Sequence, residues 1–204
     1  YNPDLKSIVY MVPGLVGLIL QQQTLLLTAF AIVRERELGT IEQLLVTPIR
    51  PWELMLGKMI PNMLISLVNM STILALGLVW FKVPFHGDIS LFFALAFLFV
   101  FSSLGLGILV STLATSQRQA QQVGNVIIML SIMLSGFIFP REAMPQAVQW
   151  MGSVIPLTYF LKISRGLMTK GVGLGSVQDS AVALMIFGVA VFAISTRTFR
   201  RRLE

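Results

Sequence analysis

Long stretches of this chain carry no charge, and that absence limits what it can fold into more than any other feature. No Asp, Glu, Lys or Arg occurs between Lys6 and Arg34, Lys58 and Lys82, Asp88 and Arg118, Arg118 and Arg141, or Asp179 and Arg197. Of the 204 residues, 55% are apolar and 12% charged, about half the ~25% charge of an ordinary soluble domain. Such a chain cannot cover its surface with polar groups, so its solvent is lipid. A helix needs about 20 apolar residues to cross a bilayer. Runs at 8–33, 59–81, 89–113, 123–139 and 180–196 meet or approach that length with no charge inside them. Lipid leaves no partner for an open backbone, so each run is expected to be helical. The expected fold is an all-α membrane protein, a single transmembrane domain over 1–204 with five transmembrane helices.

The charges that exist lie at the ends of these runs, so the net charge of +6 reads as membrane orientation and not as a nucleic-acid surface. Arg34, Arg36, Arg50, Lys58, Arg118, Arg197, Arg200, Arg201 and Arg202 fall on one side, nine in all, against six on the other: Lys6, Lys82, Arg141, Lys162, Arg165 and Lys170. The richer side, with the C-terminus, is assigned to the cytoplasm. Residues 1–7 are then outside, and five spans with an external start imply an earlier span before Tyr1. Cysteine is absent, which excludes a disulfide framework and a thiolate metal site.

Little in the chain points to catalysis. Gly57-Lys58 lacks the upstream glycine of a phosphate-binding loop, since Trp52 stands in its place. His86, the one histidine, sits in a short loop beside Asp88 and is expected to do turn chemistry. No span holds the ionisable group that a proton- or sodium-driven carrier keeps in its bundle. The polar groups inside the spans are amides and hydroxyls: Gln21, Gln22, Gln23, Asn62, Ser66, Asn69, Asn125, Ser131 and Ser135 among them. They serve to glue helices together or to line a pathway powered from elsewhere. Stripes of small residues, Ser103-Gly107-Ser111 and Ala120-Gly124, suit close helix packing.

Charge gathers instead in residues 34–54, RERELGTIEQLLVTPIRPWEL. Gly39 is expected to end the first helix as a C-cap. Thr40 and Gln43 form a capping box for a new helix over 40–47, and Pro48 stops it. Pro51 opens the next helix. Ile41, Leu44 and Leu45 share one face of the short helix. It either lies on the headgroups or docks into a groove on a soluble partner. Glu35, Glu37 and Glu42 favour docking, because anionic headgroups attract Lys and Arg and not carboxylates. Between the last two runs, Pro140, Pro145 and Pro156 break residues 140–170 into short pieces. Leu157, Phe160, Leu161, Ser164 and Met168 fall at helical spacing there, which predicts one or two half-inserted external helices. GVGLGS, residues 171–176, is expected to be a linker.

The run Arg34-Glu35-Arg36-Glu37-x-Gly39-Thr40-x-Glu42-Gln43-Leu44-Leu45-x-Thr47-Pro48, followed by Gly57-Lys58, resembles the coupling-helix region of the ABC-2 family of ABC transporter permeases. YNPDLKS with VPGL resembles the start of that family's second span, and GFIFPREAMP with PLTYFL and RG its external re-entrant region. The likeness covers essentially the whole chain. It implies a cytoplasmic amphipathic coupling helix and external re-entrant half-helices, six spans per half, and two halves, homo- or heterodimeric, above two ATP-binding cassette subunits. A first span and an external domain are then expected to precede Tyr1. ATP and Mg would be held by the partner, and no cofactor by this chain.

The residues expected to meet the cassette are Glu35, Glu37, Gly39, Thr40, Ile41, Glu42, Gln43, Leu44 and Leu45. Those expected at the pathway and dimer interface are Gln21, Gln22, Gln23, Asn125, Ser131 and Ser135. Phe137, Phe139, Tyr159 and Phe160 are expected to plug the external exit. No metal site or catalytic residue is expected. The expected function is the permease subunit of an ATP-driven exporter of drugs or small amphiphiles in a bacterial inner membrane, among membrane lipids and without nucleic acid. Export of polysaccharide or lipid-linked glycan is the alternative within transport. A membrane anchor that only recruits a soluble ATPase is the alternative outside it.

Overall fold

The computed structural model describes residues 7–39, 51–80 and 82–201. Among these the chain is helical, with no strand. Helix α1 spans Ser7–Glu37, α2 Pro51–Val79, α3 Ile89–Leu113 and α4 Gln117–Leu134. A 3₁₀ turn, Arg141–Ala143, leads to two short helices, α5 over Gln146–Gly152 and α6 over Pro156–Arg165. A π turn, Gly166–Lys170, then connects to α7, Leu174–Arg201. The segment 171–176, expected as a linker, is therefore half linker and half the first turn of α7.

Among the described residues four stretches are long and apolar enough to cross a membrane: Met11–Glu37, Leu56–Val79, Ile89–Leu113 and Leu174–Thr198. The 25 residues of α3 reach about 38 Å at 1.5 Å per residue, more than the roughly 30 Å of hydrocarbon. The fourth expected span is placed differently. Its helix runs 117–134 and not 123–139, because Ser116 starts it early: the Ser116 hydroxyl accepts from the Gln119 amide at 3.2 Å. Gly136, with φ of +89°, turns the chain soon after Leu134. The first turns of α4 thus hold Gln117, Arg118, Gln119, Gln121 and Gln122, and α4 is not among the four stretches apolar enough to span.

Helix α3 is the axis of the bundle, with residues 102–108 all buried. Its approach to α1 depends on Gly107, where a Cβ would lie 2.6 Å from the Leu25 carbonyl oxygen. A Cβ on Gly124 of α4 would lie 2.7 Å from the side chain of Leu26, also on α1. At these glycines both small-residue stripes face α1 of the same chain. On the other side of α3, the Ser102 hydroxyl donates to the Leu184 carbonyl of α7 at 2.9 Å. Helix α6 packs against α1, α3 and α7. Its predicted face is inside: Leu157, Phe160, Leu161, Ser164 and the following Met168 are all buried, while Lys162 is exposed.

Asp88 starts α3, accepting from the Ser90 amide and hydroxyl at 2.8 Å each. The Ser90 hydroxyl, and after it the Ser90 amide, holds the Asp88 carboxyl below its ordinary value. A lowered carboxylate stabilises the fold above its unfolded pKa, and the effect is lost as pH falls through the folded value. Asp88→Ala in the full-length protein is therefore expected to melt below the parent at pH 7. The gap should close as pH drops below about 3.9, the ordinary aspartate value. A melting gap independent of pH would contradict this account of the cap.

Candidate functional site

Two ends of the bundle hold the residues singled out by sequence. At one end α1 runs out through Arg34–Glu37 and stops where Gly39 takes a left-handed φ of +70°. Among the described residues nothing crowds the place a Gly39 Cβ would occupy, and the backbone angle by itself favours glycine there. Three consecutive side chains of this stretch reach three different helices. Glu35 forms an ion pair with Lys58 of α2. One nitrogen of the Arg36 guanidinium donates to the carbonyls of Ser111, at 2.9 Å, and Ala114, at 2.7 Å, at the open C-terminal end of α3. The Glu37 carboxylate accepts from the backbone amide of Gln117 at 2.9 Å and from its side-chain amide at 2.6 Å, at the N-terminus of α4. These three residues form a clasp over α2, α3 and α4.

Sequence reading assigned Glu35 and Glu37 to a partner's groove; the structure engages both inside the chain. The signal that could have shown this is the alternation Arg-Glu-Arg-Glu, which points successive charges about 100° apart around a helix end and so toward different neighbours. Thr40, Ile41, Glu42, Gln43, Leu44 and Leu45, with the short helix expected over 40–47, lie outside the described residues.

Above the clasp, α1 and α2 are joined by a ladder of polar groups. Asn69 donates to the Gln23 side-chain oxygen at 3.0 Å, Thr24 to the Ser66 hydroxyl at 2.8 Å, and Asn62 to the Thr28 hydroxyl at 3.5 Å. Each step of four up α1, from 24 to 28, matches a step of four back along α2, from 66 to 62, so the helices run antiparallel.

The three adjacent glutamines are consequently divided. Gln21 is fully buried and donates to the Ser131 hydroxyl of α4 at 3.2 Å. Gln22 is exposed, and Gln23 serves the ladder. Asn125 is exposed and accepts from Gln121 of its own helix at 2.9 Å. Ser135 is buried, and its hydroxyl has no hydrogen-bond partner among the described residues. Of the six expected pathway residues, the chain by itself brings together Gln21 and Ser131. They line a cavity of about 340 Å³ whose other walls are apolar, including Leu106, Leu130, Ile155 and Phe187. The Gln21 side-chain oxygen is buried and unpartnered among the described residues.

At the opposite end, the four aromatic residues expected to act together are separated. Phe160 is buried in the core, stacked on Phe99 with centroids 4.2 Å apart and planes at 11°, and 6.1 Å from Phe92. Phe137 is half-buried and lies against Gly14 of α1, where a Cβ would meet its ring at 2.5 Å. Tyr159 donates to the Ser153 carbonyl at 2.7 Å and so braces the turn between α5 and α6. Phe139 is exposed. Gly14 and Gly17, one turn apart on α1, open the groove that takes Phe137 and Phe160. An apolar face at helical spacing is visible in sequence, but whether it forms a plug or core depends on glycines more than 120 residues away.

Helices of this length, uncharged within and joined by amide and hydroxyl pairs, define a multi-pass helical membrane protein whose polar interior suits a permease. The family model for ABC-2 family transporter proteins matches residues 1–197, and the chain belongs to that family. It is 31% identical over 203 residues to the probable multidrug ABC transporter permease YbhR of Escherichia coli K12, covering all of this chain and 55% of that protein. It is 35% identical over 208 residues to the inner membrane transport permease YhhJ of the same organism, covering all of this chain and 54% of that protein. A more distant likeness, 25% over 193 residues, is to ABC transporter G family member 20 of Dictyostelium discoideum, covering 95% of this chain and 26% of that protein. The chain thus spans about half the length of the bacterial relatives it matches.

Proposed function

We propose that this chain is the membrane-spanning part of an ATP-driven exporter of drugs or other small amphiphiles. It works as one of two permease halves in a bacterial inner membrane, with its C-terminus in the cytoplasm. ATP and Mg are bound, and ATP hydrolysed, on separate cassette subunits. The cassette meets the segment after Gly39, with Ile41, Leu44 and Leu45 as the apolar contact. The clasp supports this coupling: a push on that segment pulls on α2, α3 and α4 at once.

One observation carries the cargo class. The cavity at Gln21 has largely apolar walls and, among the described residues, a single unpartnered amide oxygen, and its volume falls in the range of small-molecule sites. It suits an apolar molecule with one hydrogen-bond donor, in keeping with a relative named as a probable multidrug permease.

The test uses the full-length permease with its cassette in lipid vesicles. An amphiphilic dye is expected to stimulate ATP hydrolysis and to be moved in an ATP-dependent way. Gln21→Leu should weaken that stimulation, and Leu44→Asp should release the cassette. A lipid-linked glycan that stimulates where amphiphiles do not would favour the glycan exporter. A cassette that stays bound but responds to neither would leave the anchor. Undiminished co-purification of the cassette with Leu44→Asp would remove the proposed contact.

A further inference from the structure

A second cavity, of about 630 Å³, lies at the end of the bundle away from the clasp, between the turn after α4 and the helices α5 and α6. Its lining includes three cations, Arg141, Lys162 and Arg165, and one carboxylate, Glu142. Arg141 is held in place by neutral groups. Arg141 donates to the Gln149 carbonyl and, at 3.0 Å, to the Ser153 hydroxyl. Arg165 sets its fork on the carbonyls of Gly136, at 3.1 Å, and Phe137, at 3.3 Å. A carbonyl and a hydroxyl orient the Arg141 guanidinium without cancelling its charge. Lys162 is exposed on α6.

The Ser135 hydroxyl is a second, independent sign. It is 2% exposed, lines this cavity, and has no partner among the described residues. A buried hydroxyl is ordinarily hydrogen-bonded, so this one is a donor waiting for an acceptor. A fixed guanidinium on Arg141, the Lys162 ammonium and a hydroxyl donor are groups that bind a phosphate oxyanion.

The surroundings indicate what carries that phosphate. Pro140, Gln149 and Ser153 line the cavity, and the residues beside them in sequence are apolar and exposed: Phe139 at 64%, Trp150 at 78% and Val154 at 69%. A charged pocket with an apolar, Trp-bearing rim is matched to a molecule with an anionic head and apolar chains at a membrane interface.

We propose that this cavity binds a phosphate oxyanion presented as the headgroup of an anionic lipid, whose chains lie on the rim formed by Phe139, Trp150 and Val154. The site is distinct from the apolar cavity at Gln21 and holds whatever the transported cargo is.

The test uses the full-length permease in a non-ionic detergent, without ATP or transport, so its outcome is independent of the proposed cargo. Three probes are titrated: dioleoyl phosphatidylglycerol, dioleoylglycerol with the same chains and no phosphate, and inorganic phosphate as competitor. Bound lipid is counted by native mass spectrometry. Phosphatidylglycerol is expected to be retained and dioleoylglycerol not. Lys162→Glu should lower retention roughly tenfold. Lys170→Glu, which reverses an exposed lysine outside the cavity, should leave retention unchanged. Unaltered melting of Lys162→Glu checks that the fold is intact; if that variant is misfolded, Lys162→Gln takes its place with a smaller expected loss. Equal retention of dioleoylglycerol overturns the proposal. So do equal losses in the two reversal variants, or full retention in Lys162→Glu. Displacement of the lipid by equimolar inorganic phosphate overturns the lipid as the source and assigns the pocket to the free anion.

Discussion

Phe160→Ala is expected to lower the unfolding free energy of the full-length permease by about 3–5 kcal/mol, the cost of emptying a large aromatic site in a packed core. The Phe160 ring is fully buried, stacks on Phe99 and meets Gly17 so closely that a Cβ there would lie 2.8 Å from it. Neither α1 nor α3 can easily collapse into the space, because each is held by its other partners. Phe139→Ala is the matched comparison. Its ring is exposed, and its removal should change stability by less than about 0.5 kcal/mol. Thermal unfolding in detergent reads both. Equal losses for the two variants would mean that Phe160 is not a core residue, and the expectation of an aromatic plug would return.

Arg36→Ala is the second large effect. Hydrogen bonds to charged groups contribute roughly 1.5–3 kcal/mol each. Arg36 makes two of them, to Ser111 and Ala114, at a partly exposed site, so the low end of that range applies and a total of about 3 kcal/mol is expected. The functional loss should be larger than the loss of stability. With Arg36 gone, the outlet of α1 no longer holds α3, so the cassette should remain bound and hydrolyse ATP while transport falls. Arg36→Lys keeps the charge but not the planar, fixed direction of the guanidinium donors and should recover only part of the activity. Full transport by Arg36→Ala would show that the clasp is a structural fastening with no part in coupling.

The sequence made the helices legible because lipid leaves no other choice for long uncharged runs. The third expected span, 89–113, coincides with α3, and Pro51 begins α2 as its fixed φ predicts. The fourth run misled at both ends. Apolar content located the stretch, but its boundaries came from Ser116 and Gly136, which act through a cap and a backbone angle. The candidate site was legible in kind and not in assignment. Amides and small residues marked the interior in part: Gln21, Ser131 and Ser135 are buried, while Gln22, Gln23 and Asn125 are exposed. Periodicity alone could not say that Gln21 meets Ser131, that Gln23 meets Asn69, or that Gln22 meets neither. The sequence places Arg165 only among the external charges; its grip on the turn after α4 needs the tertiary approach of a segment 28 residues away.

The polar ladder between α1 and α2 has a consequence for how the protein is made. Asn62, Ser66 and Asn69 would each be a burden to α2 if it entered the bilayer alone, since an unmet amide in hydrocarbon is costly. Their partners Thr28, Thr24 and Gln23 have already been synthesised when α2 emerges. The two helices therefore favour insertion as a hairpin, each supplying what the other lacks. The same pairs also act as a ruler. Sliding one helix past the other by a single turn would re-form at most part of the ladder and leave its other polar groups unmet, while an apolar interface would still find leucines to touch. Hydroxyls and amides that look like weak glue thus set the alignment of the first two helices before the rest of the bundle arrives to pack on them.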